Sequence, residues 1–88
     1  MSGASWGVVL RPAARKDLRR LDAPVRTRVV RELERLAAQG PAQELVRLKG
    51  RPESRLRIGD WRAIVEVDRA TNTIRVKRVL PRGRAYER

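Results

Sequence analysis

The chain closes on Pro81-Arg82-Gly83-Arg84-Ala85-Tyr86, where arginines surround the sole tyrosine of a sequence with no histidine and no cysteine. These residue types narrow the chemistry. Without imidazole or thiol there is no Ser/His/Asp or Cys/His relay. Asp60, Glu66 and Asp68 fall at a turn and along a strand-like segment, without the spacing of metal ligands, so no metal is expected. No carboxylate pair suits hydrolysis by acid and base, and no glycine-rich loop of the P-loop type is present. What remains is phosphate chemistry by cations. Guanidinium groups neutralise phosphate oxygens through a planar fork of donors, but they stay protonated and make poor bases. A tyrosine among arginines is better suited to that task, because positive neighbours favour its phenolate. RNA brings its own nucleophile, the 2′-OH. An enzyme need only align it, neutralise the non-bridging oxygens and help protons leave and arrive. Tyr86 is a candidate base on this reading and a plain surface tyrosine at a sheet edge on the other.

The rest of the composition points the same way. Lysine and arginine number 22 against 10 acidic residues, a net charge of +12, and nearly all the cations are arginine. Such a surplus repels itself unless a nucleic acid or an acidic protein relieves it. The 88 residues are expected to form one domain over 1–88. A chain of this size buries only about 60–65% of the surface its unfolded form exposes. Aromatics are restricted to Trp6, Trp61 and Tyr86, so aliphatic side chains must fill the core. The lack of cysteine fits a reducing compartment. No apolar run reaches membrane-spanning length, and Met1 to Ser5 has neither the basic start nor the apolar stretch of a signal peptide. A cytoplasmic protein with no membrane partner and no cofactor is expected.

The elements that must carry the closing run can be read in order. Trp6 to Leu10 predicts a strand with Trp6, Val8 and Leu10 on one face. Pro12 suits the first turn of a helix, followed by Ala14, Leu18 and Leu21 at helical spacing. Asp22 and Pro24 open a second helix, whose stripe of Val25, Val29, Leu33 and Leu36 is widened by Val30 and Ala37. Arg28–Glu32 and Arg31–Glu34 can pair along it, and Gly40-Pro41 stops it. Pro41 to Ser54 reads as a loop around the apolar piece Leu45–Leu48. Alternation then predicts strands over Arg55–Ile58, Trp61–Val67 and Thr73–Leu80, the first two joined by the tight turn Gly59-Asp60. In the last strand Ile74, Val76, Arg78 and Leu80 share one face, and Arg75, Lys77 and Val79 the other. The fold class is therefore α+β: an N-terminal strand, an antiparallel helical hairpin and a three-stranded antiparallel sheet, β-α-α-β-β-β. With Leu56, Ile58 and Trp61 turned to the helices, Arg55, Arg57 and Arg62 fall on an open basic face, and Arg82 to Tyr86 emerges beside it.

From Trp6 to Tyr86 the chain resembles the RelE/ParE superfamily of bacterial type II toxins. The resemblance lies in Trp6-Gly-Val-Val-Leu-Arg-Pro-Ala-Ala-Arg-Lys-Asp-Leu-Arg-Arg-Leu21, in Leu48-Lys-Gly50, and above all in Arg55-Leu-Arg-Ile-Gly-Asp-Trp-Arg62-Ala-Ile-Val-Glu-Val67 with the closing Arg82-Gly-Arg-Ala-Tyr86. The RelE branch it most resembles, keeping the arginine–tyrosine set, implies a toxin that enters the ribosomal A site and cuts mRNA without metal or small-molecule cofactor. It also implies a cognate antitoxin whose acidic segment covers the basic surface. Carried over by that resemblance, Arg62 steadies the phosphate in the transition state, Arg82 serves the leaving oxygen, and Tyr86 orients or deprotonates the 2′-OH. Arg55, Arg57, Lys77 and Arg84 are the expected RNA contacts. Arg55 stands near a position where some members carry a catalytic lysine, Glu53 near the place of a second lysine, and Leu80-Pro81 where a glycine–basic pair is usual. The ParE branch, which poisons DNA gyrase and generally lacks the arginine–tyrosine set, is the alternative. A non-catalytic basic module that binds nucleic acid is the third reading.

Overall fold

The computed structural model describes residues 6–41 and 45–83. Strand β1 (Gly7–Leu10) carries Val8 and Leu10, with Trp6 before it, against the core, while Val9 is turned outward. Arg11 keeps extended backbone angles and Pro12 opens helix α1 (Pro12–Arg19), where the proline's missing N–H is one the helix could not have used. Helix α2 (Ala23–Gln39) follows after a short turn, with Asp22 at its N-cap position. The Asp22 side chain makes no capping bond. The hairpin is closed instead by Arg26, whose guanidinium donates to the carbonyls of Leu18 (3.2 Å) and Leu21 (2.8 Å). A cation there gives the Leu21 carbonyl just beyond α1 a donor, shares the Leu18 carbonyl with the Leu21 N–H, and meets the negative end of the α1 dipole.

The stripe Val29, Leu33, Leu36 and Ala37 of α2 is buried, with Val25 packed beside it, but Val30 is exposed. Glu32 pairs with Arg35 at i,i+3 (2.6 Å) rather than with Arg28, which reaches toward the sheet. Gly40, at φ +89°, ends the helix by donating its N–H to the Leu36 carbonyl at 2.8 Å.

The sheet contains β1, β2 (Leu45–Arg47), β3 (Ser54–Ile58), β4 (Trp61–Asp68) and β5 (Thr73–Pro81), in the spatial order β1-β5-β4-β3-β2. The predicted series of strand, two helices and antiparallel strands is what forms. Two features extend it. β1 joins the sheet parallel to β5, from Gly7 opposite Thr73 to Leu10 opposite Val76. The segment read as a loop supplies β2, which pairs antiparallel with β3, Leu45 opposite Leu56. Three residues are too few to display alternation, so only their pairing with β3 reveals the strand. One face of the sheet packs on the helices. Leu56, Ile58, Ala63, Val65, Ile74, Val76 and Val79 meet Ala14, Leu18, Leu21, Val29, Leu33 and Leu36 there, each buried larger aliphatic side chain contributing about 1.5–3 kcal/mol. No helix among the described residues is long and apolar enough to cross a membrane.

The faces of β5 depart from simple alternation. Val65 pairs with Val76 and Ile64 with Arg78, so Lys77 has no opposite number. This is a β-bulge, and an extra residue reverses the parity of everything after it. Val79, expected outside, is 2% exposed in the core. Leu80, expected under the helices, lies across from Arg62 on the open face.

Candidate functional site

The open face has two ends of different character. At the β3–β4 end, Gly59 and Asp60 join Ile58 to Trp61 in a two-residue hairpin. Gly59 sits at φ +59°, as the first central position of a II′ turn requires. A Cβ on Gly59 would meet Nη1 of Arg28 at 2.9 Å, so helix α2 reaches this turn through its arginine. Across the strands beside the turn, Arg57 lies opposite Arg62 and Arg62 opposite Leu80. In the next row Arg55 lies opposite Ile64. The backbone N–H of Arg82 donates to the Asp60 carbonyl at 2.8 Å, tying the exit of β5 to the same turn.

Arg62 belongs to the open face, as alternation predicts, yet it is only 7% exposed. Its Nη1 donates to the carbonyls of Gly59 (3.0 Å) and Trp61 (2.9 Å). Burial and then the charges of Arg57, Arg55 and Arg82 push its pKa below the usual arginine value, with Asp60 partly offsetting them. A guanidinium remains protonated under such a shift. Arg62 is thus a fixed buried charge crowded by other cations rather than a solvated side chain. Arg57 and Arg82 are exposed around it and Arg55 is half-buried.

From the β5 bulge toward the β4–β5 end, Lys77 and Arg75 are matched by carboxylates. Lys77, an expected RNA contact, places Nζ 2.9 Å from Glu53 and 4.0 Å from Glu66. The Lys77 hydrogen bond outweighs burial and holds the Glu53 carboxyl below its ordinary range. Arg75 Nη2 lies 3.0 Å from Asp68 Oδ2. Asp68 Oδ1 also accepts the N–H groups of Ala70 and Thr71, and Arg75 is the main cause of its lowered pKa.

Of the site residues named from sequence, Arg55, Arg57, Arg62 and Arg82 come together, whereas Lys77 is engaged elsewhere. Arg84 and Tyr86 lie outside the described residues. Sequence reasoning does not single out Asp17. This α1 residue is 8% exposed and accepts three hydrogen bonds: from Arg78 Nε (2.8 Å) and Nη2 (3.1 Å), and from the backbone N–H of Val79 (2.8 Å). Burial alone would raise its pKa, but the Arg78 and Val79 bonds and the charges of Arg78 and Arg20 together hold it below the ordinary value. The one signal for the pair is Arg78 itself, a cation at an otherwise apolar position of the predicted strand. Among the described residues no group of three or more carboxylates, histidines or cysteines could hold a metal ion.

The sequence profile of the ParE toxin of the type II toxin–antitoxin system parDE matches residues 8–86. No curated protein sequence matches significantly. Among solved structures, the chain is similar to the toxin–antitoxin complex RelBE2 from Mycobacterium tuberculosis, with 23% identity over 92% of this chain and 95% of that one and a TM-score of 0.80. The RelB–RelE antitoxin–toxin complex from Methanococcus jannaschii gives 25% identity over 90% and 95%, with a TM-score of 0.71. The isolated E. coli RelE toxin gives 18% identity over 91% and 87%, with a TM-score of 0.77.

Proposed function

The chain belongs to the ParE toxin family of type II toxin–antitoxin systems, within the RelE/ParE superfamily, and from that premise we propose that this toxin is a metal-independent endoribonuclease that cuts mRNA in the ribosomal A site. The observation that carries the reading is the gathering of Arg55, Arg57, Arg62 and Arg82 at one end of the open face, where Arg62 is crowded by the other three. Such a cluster is matched to a phosphate whose negative charge grows as it is attacked. The 2′-oxygen forms a bond to the adjacent phosphorus while the bond from phosphorus to the 5′-oxygen breaks, leaving a cyclic phosphate and a free 5′ end. Arg57 and Arg82, both exposed, meet the phosphate oxygens, with Arg82 nearest the leaving oxygen. Arg62 supplies a fixed positive field beneath them. The 2′-OH proton goes to Tyr86 in its phenolate form, and the departing 5′-oxygen takes a proton from solvent to leave as a 5′-hydroxyl. Arg84 adds a backbone contact. In the cytoplasm a cognate antitoxin carrying acidic side chains silences the toxin by occupying the same cations. The similar RelB–RelE complexes support that partnership.

The match to the ParE profile favours one second reading, inhibition of DNA gyrase. Expression without antitoxin separates the two. The endoribonuclease arrests growth with mRNA cut within codons on translating ribosomes, and Arg82→Ala abolishes both effects while Tyr86→Phe strongly reduces them. Arrest with intact mRNA and DNA damage would transfer the function to gyrase. Undiminished arrest by both variants would remove these residues from catalysis.

A further inference from the structure

A regular strand running on from Ile74 and Val76, both fully buried, would carry Arg78, Leu80 and Arg82 under the helices. The bulge at Lys77 prevents this. After it, Val79 enters the core and Leu80 faces Arg62. Arg82 leaves the strand with the parity of Leu80, on the side of Arg62. The placement of Arg82 among the other arginines therefore depends on one extra residue in β5.

A bulge interrupts the ladder and needs other partners for its backbone. β1 cannot provide them, because its pairing with β5 ends at Leu10 opposite Val76, with a last bond from the Arg11 N–H to the Val76 carbonyl. Helix α1 occupies the place where β1 would have continued. From it Asp17 offers Oδ2 to the Val79 N–H at 2.8 Å, in the role a strand carbonyl would play. Arg78, the residue directly after the extra one, forks onto both oxygens of the same carboxylate. A carboxylate this buried, held by three donors, is a clasp and not an incidental surface pair.

We infer that Asp17 is a positioning residue: by clasping Arg78 and the Val79 N–H it stabilises the β5 bulge that turns Arg82 onto the face of Arg55, Arg57 and Arg62. Its consequence for cleavage rests on the proposed endoribonuclease reading, whereas its consequence for geometry does not. Deletion of Lys77 provides the discriminating control. Without the extra residue, regular alternation from Val76 puts Arg78 out, Val79 in, and Leu80 and Arg82 out, with no help from Asp17.

The test uses the full chain, comparing parent, Asp17→Ala, the Lys77 deletion, and the two changes combined. NMR reads amide protection at Val79 and cross-strand contacts between Arg62 and Leu80. Cleavage of ribosome-bound mRNA reads kcat and KM. Asp17→Ala is expected to lose the Val79 protection and the Arg62–Leu80 contacts, with kcat down at least tenfold and KM changed less. Deleting Lys77 in that background restores the Arg62–Leu80 contacts and most of kcat. Asp17→Ala with unaltered Arg62–Leu80 contacts would overturn the inference, as would a double variant as impaired as Asp17→Ala. If Asp17→Ala does not fold, recovery of folding by the deletion supports the clasp, and a double variant that stays unfolded overturns it. A parent that cleaves no mRNA, with the NMR result as expected, would sink the endoribonuclease reading and leave the positioning intact.

Discussion

The two ends of the open face hold similar side chains and put them to opposite uses. From the bulge in the middle of β5 toward the β4–β5 turn, Lys77 meets Glu53 and Glu66, and Arg75 meets Asp68. Beside the β3–β4 turn, burial weighs most on Arg62, followed by the charges of Arg57, Arg55 and Arg82, which Asp60 partly offsets. A cation already balanced by a carboxylate has little to gain from a phosphate. Cations that repel one another are relieved when an anion arrives. Charge count alone does not separate Lys77 from the arginines of the other end, whereas local balance does.

The contrast can be broken most severely at Arg82. Arg82→Ala should lower cleavage of ribosome-bound mRNA by at least about 10²-fold, the scale of losing one transition-state donor. Lys77→Ala, its counterpart at the balanced end, should change the rate by less than about threefold, within the range of a partly exposed ion pair. Equal losses from the two variants would erase the distinction between the ends.

Arg62→Ala tests whether the buried charge belongs to the site or only to the turn. It strands the carbonyls of Gly59 and Trp61 and should cost about 1–3 kcal/mol in chemical unfolding. Cleavage should also fall beyond what the folded fraction explains. Full activity in the folded fraction would leave Arg62 a turn brace alone.

Acid probes the clasp behind the positive end. The groups facing Asp17 are Arg78 on β5 and Arg20 at the end of its own helix, and both stay charged as pH falls. The folded pKa lies below the ordinary aspartate value of 3.8. The stability Asp17 provides is therefore fully present above that value and is lost as pH drops through the folded one. Thermal melts of the parent and Asp17→Asn should differ most near neutrality and converge below about pH 4. A gap that stays constant down to the most acid pH would mean that the carboxylate charge contributes nothing.

The smallest expected effect concerns salt. RNA affinity should fall linearly with salt on logarithmic axes, and Arg57→Ala should flatten that slope by about one unit. Lys77→Ala should leave it unchanged. A slope altered equally by both would spread the RNA footprint over the whole face.

Much of the scaffold is legible in the order of the residues. Pro12 and Pro24 in first helical turns, the buried stripe of Val29, Leu33 and Leu36, and the hairpin at Gly59-Asp60 all follow from local rules that depend on neighbours in sequence. The elements that escape such rules depend on distant partners. β2 is a strand only because β3 lies beside it. Val30 fits the apolar stripe of α2 but falls outside its buried arc. Alternation gives the face of Arg62 but not its burial, which depends on the folding back of its guanidinium onto the turn.

By itself the sequence determined the order of the elements, the apolar faces of the helices and of β3 and β4, the large positive charge, and a chemistry without histidine or cysteine. The tertiary structure alone decided which cations gather around Arg62, which lie beside the carboxylates of Glu53 and Asp68, and on which face β5 delivers Arg82. The reason is the reach of the contacts involved. Alternation is a property of adjacent residues, whereas the bulge that reverses it is clasped by an aspartate 61 residues before Arg78, and only a folded chain can bring the two together.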